Sequence, residues 1–331
     1  MPNPSVTVVV PTLAADEALE ECLRSLAAQS LQDFEVIVVD NSGRKLVQPR
    51  EGIKIIYNET NVGFGAAVNQ GIRASQAECV ATLNDDAKAH PGWLEALVRV
   101  IGERYEIGMC ASQIRLAPGW QMDSAGMLIA RDGSSKQNGH GEPPPQFFKR
   151  KQALLPSGCA AIYKRAMLDE IGLFDESFFL YCEDTDLGLR ARWAAWECVY
   201  VPDAVVEHRY SHSAGAASAL KAYYVERNRL YLLVKNFPAA MLWAAPFYSL
   251  ARYFWHAFYA WRGRGATAAY REAGNSTAGL GTAVLRAHWN ALRNFGTLWQ
   301  ERKKIKRRLT AKQFEGMVRE YSIGPRKVAA L

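Results

Sequence analysis

Ser5-Val6-Thr7-Val8-Val9-Val10-Pro11-Thr12, then Asp16-Glu17-Ala18-Leu19-Glu20-Glu21-Cys22-Leu23-Arg24-Ser25-Leu26, then Phe34-Glu35-Val36-Ile37-Val38-Val39-Asp40-Asn41-Ser42: this stretch decides the fold. Its outer runs are β-branched and each ends in a polar or turn-forming cluster. Between them Leu19, Cys22, Leu23 and Leu26 fall at i, i+3, i+4 and i+7, and Asp16, Glu17, Glu20 and Glu21 put negative charge where a helix dipole favours it. The spacing predicts a βαβ unit. Working outward, Ile53–Tyr57 and Cys79–Leu83 read as further buried strands, separated by a Gly/Ala-rich helix from about Phe64 to Ser75. Pro91 opens another helix with Trp93, Leu94, Leu97, Val98 and Ile101 inward. Strands alternating with helices imply an α/β fold with a mostly parallel, Rossmann-like sheet, which binds ligands at the carboxyl ends of its strands.

The polar groups at those ends are Pro11-Thr12, Asp40-Asn41-Ser42, Asn61-Val62-Gly63 and Asn84-Asp85-Asp86. No G-x-G-x-x-G follows the first strand and no G-x-x-x-x-G-K-[ST] occurs, so dinucleotide and P-loop chemistry lose their main support. A diphosphate held here needs a metal. Asn84-Asp85-Asp86 offers adjacent oxygen ligands for Mg²⁺ or Mn²⁺, although Asp and Asn also crowd strand ends as turn formers. Asp40 either accepts from a base ring N–H or begins a turn with Ser42-Gly43, and Asn61-x-Gly63 is either a ligand loop or a tight loop. Their joint placement on one sheet edge favours a site.

In the second half, Ala153–Tyr163 reads as a strand broken by Pro156-Ser157-Gly158, and Gly172–Glu176 as a loop after a short helix. An aromatic, buried stretch from Phe178 to Cys182 then delivers Glu183 and Asp184 to the start of a helix running to about Trp196. Two adjacent carboxylates under aromatic rings suit a general base, while Asp184, Thr185 or Asp186 could equally cap that helix. His208, after the runs Val199–Val201 and Ala204–Glu207, is either structural or completes a metal site begun by Asp86.

Taken in order, these motifs resemble the family 2 glycosyltransferases, inverting enzymes of the GT-A fold, and especially the branch with rhamnosyltransferases and galactofuranosyltransferases. The resemblance spans about residues 5–236. Its carriers are Val8–Thr12, Val38–Ser42, Asn61–Gly65, Asn69-Gln70-Gly71, Leu83–Ala87, Ser157-Gly158-Cys159, Gly172–Asp175, Glu183-Asp184-x-Asp186-Leu187 and Glu226-Arg227-Asn228-Arg229. It implies that Pro11, Thr12, Asp40 and the Asn61–Gly63 loop hold a nucleoside, with Asp85 and Asn69 near the donor. It further implies that Asp86 binds the metal with His208 joining it, that Asp184 is the base, and that Glu183 lies beside the acceptor. The implied reaction moves a sugar from a nucleotide-diphosphate donor, dTDP-rhamnose foremost and UDP-galactofuranose or another UDP-sugar next, to a saccharide or lipid-linked saccharide in bacterial surface-polysaccharide assembly. Two departures stand out: Asn84 where the acidic motif commonly begins with Asp, and Leu13-Ala14 where Tyr-Asn is usual. Asn84 leaves room for an inactive nucleotide- or carbohydrate-binding protein, against which Glu183-Asp184 speaks. A nucleotidyltransferase would carry a Gly-rich, basic loop after the first strand, and Pro11–Ala15 has none.

The expected organisation is a GT-A domain over 1–236, its nucleotide half 1–104 and acceptor half 105–236, followed by a helical, aromatic and basic region over 237–331. The 331-residue chain has the composition of a globular protein, but its charge is uneven: residues 1–210 hold 20 Lys+Arg against 28 Asp+Glu, and residues 211–331 hold 20 against 5, or +15. Six cysteines without a C-x-x-C pair read as reduced core residues, and Met1–Pro4 runs into the first strand without a leader pattern, so the expected location is the cytoplasm. Phe237–Ala251 falls short of the ~20 apolar residues that span a bilayer. With its aromatics and the Arg302–Arg308 cluster, the tail suits either the inner face of an anionic plasma membrane or packing on the protein, including a homodimer interface; nucleic acid is not expected. Gln113–Phe148, rich in Gly and Pro, is expected to be a partly flexible acceptor-side loop.

Overall fold

A computed structural model of the chain describes residues 4–209 and 218–331. Residues 1–3, on which the leader reading partly rests, and 210–217 lie outside the described residues. The described chain forms two compact units: Met1–Met127 with Gln137–Tyr210, and Leu128–Lys136 with Ser211–Leu331.

The first unit is built from β1 (Val6–Thr12), α1 (Glu17–Ala27), β2 (Phe34–Asp40), β3 (Ile53–Tyr57), α2 (Phe64–Ala74), β4 (Cys79–Leu83), β5 (Ala87–Ala89), α3 (Trp93–Ile101), β6 (Ile107–Leu116) and β7 (Met122–Ser124). After the short strands β8 (Met127–Ile129) and β9 (Ser135–Gln137) come β10 (Lys151–Ala153), β11 (Ala160–Lys164), α4 (Arg165–Ile171), α5 (Glu183–Trp193) and β12 (Glu197–His208). The main sheet runs β10-β12-β6-β11-β4-β1-β2-β3, with β5 on β12 and β7 on β6. β3, β2, β1 and β4 are parallel, β11 is antiparallel to β4 and β6, and β12 is parallel to β6. The strand order reverses between β1 and β4, which makes their carboxyl ends the crevice of the sheet.

Alternation along β1 sends Val6, Val8 and Val10 to the face covered by α1 and α3, and Val9 to the face covered by α2 and α5. Both faces are therefore dry, which is why these strands read as continuous apolar runs. Asp16 caps α1 by accepting from the N–H groups of Ala18 (3.1 Å) and Leu19 (3.3 Å). In α3 the buried side includes Val100, whereas Val98 packs half-buried at its margin. α5 ends at Trp193 rather than near Trp196 because Ala195 turns into the left-handed region (φ 65°). The runs expected around Val199 and Ala204 are one strand, β12, with a register shift between Val201 and Val205. Gln113–Phe148 is not one loose loop: it carries the end of β6, then β7, β8, β9 and a 3₁₀ turn at Pro144–Phe147, because its backbone groups find partners in the sheet and in each other. All six cysteines are unpaired, and four of them are buried.

The second unit carries α6 (Ala219–Asn236), α7 (Ala239–Trp261), α8 (Gly265–Glu272), α9 (Thr277–Arg293), α10 (Phe295–Lys304), α11 (Ala311–Glu320) and α12 (Pro325–Ala330). α6 was expected with the catalytic domain; it lies in this unit instead, tied there by buried charge. Glu226 accepts from Arg229, Tyr253 and Arg252 (2.8 Å to Arg252), Arg252 also donates to Asp132 (2.6 Å), and Arg229 donates to the Asp132 carbonyl (3.0 Å) and Ser249 (3.2 Å). Among the described residues no helix is long and apolar enough to cross a membrane.

Candidate active site

The donor edge forms where β1, β2 and β4 end. Register sets Pro11 opposite Val39 and Thr12 opposite Asp40, and the Asn41 N–H donates to the Thr12 carbonyl (2.8 Å). Thr12 Oγ1 donates to Asp85 Oδ2 (2.6 Å), joining the first strand to the acidic motif after β4. Asp40 is buried and accepts from Ser42 N–H (3.0 Å), Ser42 Oγ (2.5 Å) and Val47 N–H (2.9 Å). Burial alone would raise its pKa, but these bonds outweigh it and hold the carboxyl below the usual range. Of the two roles open to Asp40, the turn is thus present in the fold, and the carboxylate shapes the Ser42–Val47 loop.

Asn41 was not singled out by the sequence, yet it organises this edge. Its carboxamide donates to Asn61 Oδ1 (2.9 Å) and accepts from Val62 N–H (3.0 Å) and Asn58 Nδ2 (3.0 Å), while Asn61 Oδ1 also accepts from Gly63 N–H (2.9 Å). Gly63 has φ 91°, and a Cβ there would lie 2.3 Å from the Phe179 carbonyl oxygen, so only glycine fits. Asn69, expected beside the donor, is buried and spends its carboxamide on a clamp: it donates to the Phe174 carbonyl (2.9 Å) and Glu176 (2.9 Å) and accepts from Phe174 N–H (3.0 Å).

Asp86 and His208 meet at the other end of the motif, Asp86 Oδ1 lying 3.2 Å from His208 Nε2. His208 Nδ1 is 2.7 Å from Asp123 Oδ2, and Asp123 Oδ1 is 2.9 Å from His140 Nδ1. Asp123 comes from β7 and was invisible in the sequence: nothing in its spacing links it to His208 until β6 pairs with both β7 and β12. A hollow of about 590 Å³ opens beside Asp86, with Lys88, Glu21 and Arg209 on its wall. Both ring nitrogens of His208 thus face carboxylates, and although burial works against its charge, Cys159, Asp123 and Asp86 raise its pKa well above the usual range, so a divalent cation taken up by Asp86 and His208 would displace the Nε2 proton. Two ligands of one cation, bound at about 2.1 Å, sit about 3 Å apart, and a ligating histidine typically passes its other ring N–H to a carboxylate, as His208 does. Asp85 adds a second sign: burial pushes its carboxyl up to about 6, with Thr12 opposing and the charge of Asp86 adding, a penalty that a cation would relieve. Among the described residues no three His, Cys, Asp or Glu side chains converge, so the remaining positions would fall to ligand oxygens and water.

Glu183 and Asp184 open α5 after a distorted approach. Phe178 is buried, but Phe179, Tyr181 and Cys182 are only half-buried and have φ of 61°, 68° and 69°, conformations that cost non-glycine residues about 1–3 kcal/mol each and cluster at functional sites. Cys182 is the N-cap residue and makes no side-chain cap. Asp184 Oδ2 accepts from Gly158 N–H (2.9 Å), and Oδ1 from Thr185 N–H (2.6 Å) and Oγ1 (3.1 Å). Asn84 N–H donates to the Cys159 carbonyl (2.8 Å), so the residue that holds Asp184 is one step from the contact between β11 and the acidic motif. Asp186 pairs with Arg190 (2.8 Å), which donates to the carbonyls of Ile171 (2.7 Å) and Leu173 (2.7 Å); its role is structural. Burial raises the pKa of Asp184, only partly offset by Gly158 and Thr185.

Glu183 is 6% exposed and its Oε2 has no hydrogen-bond partner among the described residues. Burial and the neighbouring Asp184 push its pKa up to about 8. A raised folded-state pKa favours the fold at low pH, and that contribution is lost as pH climbs from the ordinary value of 4.5 through about 8. Glu183→Gln removes the titration. Against it, the wild type is expected to lose about 1.4 kcal/mol per pH unit in that window, read from urea unfolding at about pH 5 and about pH 8; parallel stability curves would show that Glu183 is not held protonated.

The fold is of the GT-A type. Residues 7–172, half of the chain, match the model described as "Glycosyl transferase family 2", and the chain belongs to that family. It is 30% identical over 247 residues, covering 66% of this chain and 80% of the relative, to the N-acetylglucosaminyl-diphospho-decaprenol L-rhamnosyltransferase of Mycobacterium tuberculosis. It is 27% identical over 221 residues, 65% of this chain and 77% of the relative, to the uncharacterized glycosyltransferase YwdF of Bacillus subtilis. Among solved structures it is similar in fold to GalNAc-T7 with UDP, GalNAc and Mn²⁺ (TM-score 0.54, 13% identity), covering 70% of this chain and 48% of that one.

Proposed function

We propose that the protein is an inverting, metal-dependent glycosyltransferase that moves rhamnose, with dTDP-rhamnose as the leading donor, onto a saccharide or lipid-linked saccharide in surface-polysaccharide assembly at the cytoplasmic face of the membrane. The observation that carries this reading is Asp184: a carboxylate held by neutral donors, raised in pKa, and tied through Gly158 and Cys159 to the strand end that bears Asp85 and Asp86. The name of the Mycobacterium tuberculosis relative supports rhamnose as the sugar and a lipid-diphosphate saccharide as the acceptor.

Asp184 takes the proton of the acceptor hydroxyl as its oxygen attacks the anomeric carbon, the bond from that carbon to the diphosphate breaks, and one displacement inverts the centre. Glu183, protonated at neutral pH, offers a hydrogen bond to the acceptor instead of a second negative charge beside the base. Pro11, Thr12, Asp40 and the Asn61–Gly63 loop, braced by Asn41, line the nucleoside edge, and Asp85 is kept there by Thr12. Asp86 and His208 would hold Mg²⁺ or Mn²⁺, which, when bound, neutralises charge on the departing diphosphate.

The test is nucleotide-diphosphate release from a donor panel of dTDP-rhamnose, UDP-galactofuranose and other UDP-sugars, with and without Mn²⁺ or Mg²⁺. Release from one donor should require the metal and fall about a hundredfold or more in Asp86→Ala. Donor binding without turnover, whatever acceptor is offered, would favour a nucleotide- or carbohydrate-binding protein instead.

A further inference from the structure

We propose that the second unit docks on an anionic bilayer, lying in its surface with the outer stripes of α7 and α9 among the acyl chains and the flanking arginines on lipid phosphates. α7 is built inside out. Its inner side carries Arg252, buried on Asp132 and Glu226, with Ser249 and Tyr253 bonded to Arg229. Its outer side presents Trp243, Phe247, Leu250, Phe254 and Trp261, at i, i+4, i+7, i+11 and i+18, each 63–84% exposed. A helix on a protein surrounded by water distributes its residues the other way round, and an apolar stripe of this length marks a contact surface.

α9 repeats the pattern. Leu285, Trp289 and Leu292 fall at i, i+4 and i+7 and are 68–72% exposed. Arg286 and Arg293 flank that stripe and, with Tyr223, Leu285, Trp289 and Asn290, line a hollow of about 350 Å³. On α7, Arg262 lies over the rings of Phe258 (5.4 Å) and Trp261 (5.3 Å) at the end of the stripe. The two helices meet where Tyr253 faces His288, ring centroids 6.5 Å apart.

Charge decides the occupant. Residues 211–331 carry 20 Lys+Arg against 5 Asp+Glu, so a two-fold dimer through this same face would set like charge against like, whereas anionic headgroups complement it. No described helix is long and apolar enough to cross a bilayer, so a bilayer would take the stripes in its plane. The inference does not depend on the reaction proposed above, although a lipid-linked acceptor would be met at the same surface.

The full chain is sedimented with vesicles of phosphatidylcholine, with and without phosphatidylglycerol. It should pellet with the anionic vesicles, less so at high salt, and brominated acyl chains in those vesicles should quench its tryptophan emission. Trp243→Ser and Phe247→Ser should each weaken binding by about tenfold or more, the partition of one aromatic side chain, and the double variant Arg286→Glu with Arg293→Glu should erase the preference for phosphatidylglycerol. All are exposed positions, so the variants should melt as the wild type does and turn over donor with a water-soluble acceptor at the wild-type rate, which separates failure of docking from failure of the transferase reading. Wild-type protein left in the supernatant with anionic vesicles would overturn the proposal. So would binding without quenching that the stripe variants leave intact, or a solution dimer that Phe247→Ser dissociates.

Discussion

If Asp184 is the base, Asp184→Asn is expected to lose sugar transfer, with kcat down about 10³-fold at neutral pH, while the donor binds as it does to the wild type. The carboxamide keeps an oxygen for Gly158 N–H, 2.9 Å away in the wild type, so the loop before β11 stays in place; what disappears is the ability to take a proton. A thermal melt of Asp184→Asn beside the assay separates such a loss from instability. Burial raises the pKa of Asp184, so a neutral Asn relieves a penalty on the ionised form, and this offsets part of the cost of turning the oxygen that accepts from Thr185 N–H into an NH2. The same shift places the acid limb of kcat against pH above the ordinary aspartate range, because the base works only when ionised and activity falls as pH drops through the raised pKa. The measurement is single-turnover diphosphate release beside donor titration by calorimetry. Near-wild-type turnover in Asp184→Asn would remove this residue as the base.

We expect Glu226→Ala to destabilise the second unit by about 3–5 kcal/mol, the cost of removing one partner from a buried ion network. Glu226 is the shared acceptor of Arg229, Arg252 and Tyr253, and both arginines are more than nine-tenths buried. Burial works to raise its pKa, but the two guanidinium groups outweigh it and pull the carboxyl down to about 2. A depressed pKa contributes stability above the ordinary value of 4.5, and that stability is lost as pH falls through about 2. Removal of the side chain leaves Asp132 to face two buried cations at any pH above that window. Glu226→Gln keeps the shape but not the charge and should cost less. Thermal unfolding followed by far-UV circular dichroism reads the difference; an unfolding midpoint in Glu226→Ala equal to that of the wild type would mean that solvent already reaches the network.

The βαβ start, the alternation of strands and helices, and the strand ends at Thr12, Asp40 and Asn84 were legible because each depends on residues within a few positions of one another. Burial on a strand repeats every two residues and on a helix every 3.6, and a chain with both faces of its sheet covered advertises its strands as apolar runs. The family motifs were legible for the same reason. Asn41 was quoted as part of a motif, yet its function as the hub of the Asn58–Gly63 amide bonds depends on two strand ends arriving side by side. The Asn69 clamp on Phe174 joins positions 105 residues apart, and Asp123 reaches His208 across 85, distances at which local periodicity carries no information.

Local pattern also misjudged exposure where tertiary packing inverted it. Phe178–Cys182 looked like a buried aromatic run; only Phe178 is buried, since the left-handed turns at Phe179, Tyr181 and Cys182 swing the rest outward. In α7 the rings that might have packed inward face out, because Arg252 has to reach Asp132 and Glu226. By itself, then, the sequence determined the α/β class, the sheet edge that gathers the candidate residues and the family, all written in short-range periodicity and motif order. Which carboxylates meet histidines, which amides are spent on holding loops, and which face of a helix is turned to its surroundings were decided only by tertiary structure, because each follows from how distant segments pair and not from what stands beside them in the chain.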